Sequence, residues 1–161
     1  MINFIFLLVK ILVANVVLHI DTWRICRKLR IKRPKLILGR SANENKLGEA
    51  FNGIVFINIS VKSLPWWKET VRHEMRHIWQ DVHHADIVAW CISKPEYREY
   101  KEFYRYCPIE FDARYYAEKG GDIKNSPIDF VSVETLEKMY QDGTFIKQMK
   151  MLSDLFGVSE Q

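Results

Sequence analysis

Five consecutive residues, His73-Glu74-Met75-Arg76-His77, combine the side-chain types needed to hold a metal ion and move a proton beside it. On a helix, positions 73 and 77 lie one turn apart on the same face, so both imidazoles can reach a single ion. Glu74 sits next to them, placed to take a proton from a water activated by that ion. The flanking sequence agrees with a helix. Ser63 is a candidate N-cap, Pro65 falls in the first turn where a missing N–H costs little, and no Gly or Pro interrupts residues 66 to 84.

Two histidines alone hold zinc poorly, and a catalytic zinc usually has three protein ligands and one open position. The best third candidate is Glu110, in the first turn of a helix opened by Pro108. Its neighbours Ala113 and Ala117 are small enough to allow close packing against the motif helix. Glu118, two turns later, and the local Asp81 are the other carboxylates, and Cys107 is the soft alternative. Asp112 projects from nearly the opposite side of the helix to Glu110, so both cannot easily serve one ion. As an ordinary first-turn carboxylate, Glu110 would instead be favoured by the helix dipole and pair with Arg114 at i+4.

The secondary structure around these residues can be read in part. Residues 35 to 39 form a short apolar run suited to a strand, and residues 40 to 48 read as a polar loop. Asn52-Gly53 is a strong hairpin turn signal, with Ala50 and Phe51 ending a partner strand. The β-branched run over residues 54 to 59 follows, giving a sheet of three strands that leads into the motif helix. The state of residues 86 to 92 is not decided by their pattern. A helix is expected from Pro95 to Tyr106, a break at Cys107-Pro108, and a helix from Pro108 to Lys119 closed by Gly120-Gly121. Two last helices, residues 132 to 141 and 145 to 156, are divided by Asp142-Gly143. The whole is α+β, a small sheet backing the motif helix and a mostly helical C-terminal half, read as one domain over residues 1–161.

Residues 50 to 120 resemble the gluzincin metallopeptidases, particularly their small minimal-domain members and the HExxH proteins encoded by bacteria and their phages. The likeness rests on the strand at 54 to 59, the motif helix with His77-Ile78-Trp79-Gln80, and the later Pro108-Ile109-Glu110-Phe111-Asp112-Ala113. It implies a zincin-like fold, one zinc per chain held by His73, His77 and Glu110, and peptide-bond hydrolysis with Glu74 as general base. A peptide or protein would be the substrate, pairing along the exposed backbone of the strand at 54 to 59. Oxyanion donors would come from among His83, His84, Tyr104 and Tyr106. Two departures stand out. Arg114 occupies the place where thermolysin-like members carry an Asp, and the extra His and Gly of the HExxHxxGxxH form are missing after His77. The rival reading is a non-enzymatic, zinc-stabilised structural or interaction protein, although a purely structural site would not need Glu74.

Composition narrows the classes further. The chain has 161 residues, 48% apolar and 27% charged, which are globular values. Cys26, Cys91 and Cys107 are odd in number and widely spaced, as free thiols of a reducing compartment would be. Net charge is +4, and seven bases fall between Arg24 and Lys35 without an acid among them. Such a cluster could meet nucleic acid or anionic lipid, although no nucleic-acid recognition motif accompanies it, and membrane contact would run through residues 2 to 35. As an ordinary feature it is a solvated helix end and the loop beyond it, where cations are favoured by the helix C-terminus. Residues 2 to 20 are apolar except at Asn3, Lys10, Asn15 and His19. That length marginally suffices to span a bilayer, with the following domain on the cytoplasmic side. Lys10 near its middle would cost roughly 2.5–3.5 kcal/mol there. Lys10, Asp21, Arg24 and Lys28 share one helical stripe, so the expectation is a buried N-terminal helix with a narrow wet face in a cytoplasmic protein. No basic residue precedes the apolar run and no small-residue cleavage site closes it, which speaks against a signal peptide.

Overall fold

The computed structural model describes residues 2–40, 47–59, 63–121 and 125–158, and of residues 2–8 and 10 it describes the backbone alone. Residues 41–46 of the expected loop, and the side chain of Lys10, therefore lie outside the described residues. The chain forms two compact units, Met1–Ile78 and Trp79–Gln161.

The first unit contains α1 (Ile2–Leu29), strands β1 (Lys35–Gly39), β2 (Gly48–Phe51) and β3 (Ile54–Asn58), and most of α2 (Leu64–His83). The hairpin is built at Asn52-Gly53, whose φ angles of 48° and 73° fit a two-residue turn that needs left-handed backbone at both positions. Phe51 pairs with Ile54 across it, and β2 runs antiparallel to β3. β1 pairs with β3 in parallel, Lys35 opposite Ile54 and Gly39 opposite Asn58. The order is therefore β1-β3-β2, with β3 at the centre. This corrects the expected substrate pairing along residues 54 to 59. Both edges of β3 are taken by its neighbours, and the sheet's edges are β1 and β2. Alternation along β3 buries Val55 and Ile57 completely.

α1 departs from the expectation of a buried helix with a narrow wet face. One side is buried, at Ala14, Leu18, Thr22, Ile25, Cys26 and Leu29. The opposite side is apolar and exposed. Of the expected wet stripe, Arg24 and Lys28 are exposed, whereas Asp21 is largely covered and faces Lys68 of α2 at 3.6 Å. Among the described residues, no helix is long and apolar enough to cross a membrane.

The second unit contains the last turn of α2, then α3 (Ala85–Ser93), α4 (Glu96–Glu99), α5 (Lys101–Tyr106), α6 (Pro108–Glu118), a 3-10 turn (Pro127–Phe130), α7 (Val133–Gln141) and α8 (Phe145–Phe156). The undecided segment at 86 to 92 is thus helical, burying Ile87, Trp90 and Cys91. The helix expected from Pro95 to Tyr106 is two short ones. Tyr100 is extended (φ −116°, ψ 113°), although no Gly or Pro lies there. The break re-aims the chain, so that α5 buries Phe103 and Tyr106 while α4 buries nothing. α6 begins at Pro108 and ends where Gly120 and Gly121 take φ of 68° and 78°. Ser132 caps α7 by accepting the Thr135 N–H at 3.3 Å. The core centres on Trp90, Phe103 and Phe145, the last two rings stacked 4.6 Å apart. Cys26, Cys91 and Cys107 are free thiols, and all three are buried.

Candidate metal centre

α2 is amphipathic in an unusual sense. Val71 and Met75 are fully buried, yet Glu74, Arg76 and Gln80 are buried beside them. Burying such polar groups is costly unless each has a partner, so this stretch is organised for more than packing. His73 and His77 are half-buried, and their Nε2 atoms lie 3.1 Å apart with the rings edge-on. One helical turn has therefore brought the two imidazole nitrogens to a common point, as their spacing predicts.

Glu74 is placed by β2. A Cβ added at Gly48 would stand 2.5 Å from Thr70 Cγ2 and 2.9 Å from Glu74 Oε1. Only glycine lets the β2 backbone come this close to α2. Thr70 is itself fixed, its hydroxyl donating to the Trp66 carbonyl at 2.9 Å.

In the second unit Glu110 is buried at 4% exposure on the first turn of α6. The Tyr97 hydroxyl donates to Glu110 Oε1 at 2.7 Å. Burial, reinforced by the Glu110 charge, pushes the Tyr97 hydroxyl well above the ordinary tyrosine range, which keeps it a donor. The last turn of α2 is tied to the same part of α6. Gln80 Nε2 donates to the Ile109 carbonyl at 2.9 Å and to Asp112 Oδ2 at 2.7 Å. Asp112 in turn accepts from the Ser126 hydroxyl. Gln80 follows His77 by three residues and Ile109 precedes Glu110, so this network holds the sequence neighbours of both ligand candidates.

Ligand atoms of His73, His77 and Glu110 all lie within 4.8 Å of one another, and the group could hold a metal ion. Among the described residues it is the one such group of three or more histidine, cysteine or acidic side chains. The alternatives for the third position are engaged or placed otherwise. Asp112 accepts from Gln80 and Ser126, Asp81 is exposed, and Glu118 is half-buried near the far end of α6. Cys107 is fully buried against Cys91, and burial first, then Cys91, pushes its thiol well above the ordinary range, away from the thiolate a metal needs.

Arg114 does not act as a simple surface partner of Glu110. Its guanidinium donates to the Arg105 carbonyl. Burial draws its pKa down, and the Glu110 charge works in the opposite sense. Of the expected oxyanion donors, His84 faces Asp129 at 3.3 Å, and the rings of His83 and His84 each lie 4.9 Å from Trp79. Tyr104 packs against Tyr97 at 5.2 Å, and Tyr106 is buried. Tyr97, Gln80, Ser126 and Gly48 are the residues that sequence reasoning does not reach. Gln80 alone carried a local signal, because i+3 from His77 is the same helix face. Comparison of the chain with protein-family models, curated proteins and solved structures gave no match.

Proposed function

We propose that this chain is a zinc-dependent peptide hydrolase, with His73, His77 and Glu110 holding the ion and Glu74 acting as general base. The observation that carries the reading is the convergence of the two Nε2 atoms at 3.1 Å, with a carboxylate in reach and a second carboxylate on the same helix. Tetrahedral zinc with Zn–N near 2.0–2.1 Å sets two imidazole nitrogens roughly 3.3 Å apart. The donor set, two neutral nitrogens and one carboxylate, also matches what a catalytic zinc takes. Zinc held by these residues would supply Lewis-acid polarisation of the scissile carbonyl and a lowered pKa for a bound water.

The protein's own side chains do the rest. Tyr97 orients the Glu110 carboxylate, and such partners of ligand residues commonly contribute about 10–100-fold to metal affinity. Glu74, pressed into place at Gly48, takes the proton from the attacking water and delivers it to the departing amine. β2, as an edge strand beside Glu74, is better disposed than β3 to align an extended peptide.

The test has two readouts. Elemental analysis of protein purified without added metal is expected to give one zinc per chain, and Glu110→Ala much less. Glu74→Gln is expected to keep the zinc and the fold while losing about 10²–10⁴-fold in turnover, scored by mass spectrometry on a mixed peptide library. Zinc near zero in the unmodified protein would remove the whole proposal. Zinc present with no Glu74-dependent cleavage would leave a metal-stabilised, non-enzymatic protein as the reading.

A further inference from the structure

The exposed side of α1 is unlike any other surface described. Val9, Leu12, Val13, Val16, Ile20 and Trp23 recur at helical spacing, and each is 44–66% exposed. By the helical repeat they occupy one stripe about 100° wide. The buried residues Ala14, Leu18, Thr22 and Ile25 lie on the opposite side. An apolar stripe of this length on a helix already packed along its other face is not ordinary surface noise, since scattered single residues are normal and contiguous rows are not.

The end of the stripe says what covers it. Trp23 is followed one turn later by Arg27, whose guanidinium lies 5.0 Å over the indole ring. All seven bases between Arg24 and Lys35 are exposed, with no acid interspersed. Beside Trp23 a groove of about 370 Å³ opens, lined by Asn15, Val16, His19, Ile20, Trp23 and Arg33. Arg33 forms part of its wall, bonded to His19 Nδ1 at 3.1 Å. Carbon along the stripe, an indole at its margin and dense cations beyond it are the sequence of environments met from acyl chains through interface to anionic headgroups. A protein partner would supply the apolar cover but gives no reason for seven exposed bases in a segment without an acid. A nucleic acid would answer the cations but not the carbon.

We propose that α1 is a membrane-surface attachment helix, lying in the plane of an anionic lipid bilayer with the Val9-to-Trp23 stripe inserted and the Arg24-to-Lys35 segment on the headgroups. The mode is peripheral, because the face opposite the stripe is buried.

The full chain, carrying an epitope ahead of Met1, would be mixed with vesicles of phosphatidylcholine alone or with 30% phosphatidylserine, and sedimented. We expect recovery with the phosphatidylserine vesicles, at least tenfold above neutral ones. The double variant Val16→Asp with Ile20→Asp should lose binding to both, with unchanged circular dichroism because both positions are exposed. Arg27→Glu should lower the partition coefficient at least fivefold, in line with the ordinary contribution of a surface cation, and raising salt should weaken binding in the same direction. The proposal is overturned by equal recovery on both vesicles, or by unchanged binding of the double variant. It is overturned equally if the apolar variant instead abolishes a concentration-dependent dimer, or if only nucleic acid competes for the basic segment. Protection of the epitope from added protease would show insertion across the bilayer and likewise overturn it. Zinc content is measured in parallel, so failure here is separable from failure of the peptidase reading.

Discussion

The two longest helices solve opposite problems. α2 carries polar groups inward, with Glu74, Arg76 and Gln80 buried among Val71 and Met75. α1 carries apolar groups outward, from Val9 to Trp23, while burying Leu18 and Ile25 behind them. Each breaks the usual division of a surface helix into a carbon face and a wet face. The exceptions differ in cost. Polar groups buried in α2 demand partners, which binds the helix to a defined chemistry and geometry. Carbon exposed on α1 demands only another apolar phase, which sets an address without fixing a geometry. On the two proposals made above, a site and a docking face are told apart by which kind of misplacement they show.

That contrast is open to direct attack. The largest effect is expected for Met75→Asp, which puts an unpaired charge on the buried face of α2. It should cost about 3 kcal/mol or more, read as a lower urea midpoint. A loss under 1 kcal/mol would mean that this face is wetter than its zero exposure implies.

An intermediate effect is expected for Gly48→Ala. The added methyl must displace Thr70 or Glu74, costing about 1–3 kcal/mol by overpacking. If Glu74 is the general base, turnover should fall about 10–100-fold through misplacement while zinc content holds. Loss of zinc with loss of turnover would mean that β2 supports the whole centre and not the base alone.

The smallest effect is expected for Val13→Asp, on the outward stripe of α1. Stability in solution should move by no more than about 0.5 kcal/mol. A loss comparable to that of Met75→Asp would show the stripe to be covered in the isolated protein, and the difference between the helices would vanish.

What the sequence made legible was whatever depends on local spacing. The histidines at i and i+4, the Asn52-Gly53 hairpin, the start of α6 at Pro108 and its end at Gly120 all follow from steric or hydrogen-bonding rules acting over a few residues. Glu110 was one of several third-ligand candidates by the same local logic, and its grouping with His73 and His77 depends on contacts far apart in the chain. The central place of β3 was not legible, because strand order depends on the non-local pairing with β1. Nor was the break at Tyr100, which has no helix-breaking residue to mark it, or the Tyr97 hydroxyl on Glu110 across thirteen residues. The outward face of α1 escaped for another reason. Hydrophobicity reports that carbon avoids water, and cannot say whether protein or some other phase takes its place.

The sulphur chemistry of the chain has a consequence of its own. Cys26 belongs to the first unit, and Cys91 and Cys107 to the second. Burial raises the thiols of Cys26 and Cys107 above their ordinary range, and only a thiolate alkylates quickly. Cys26 and Cys107 should therefore alkylate slowly while their surroundings are closed and faster once they open. Alkylation timed at Cys26 and at Cys107 would thus report on the opening of one unit each, with no label to be added.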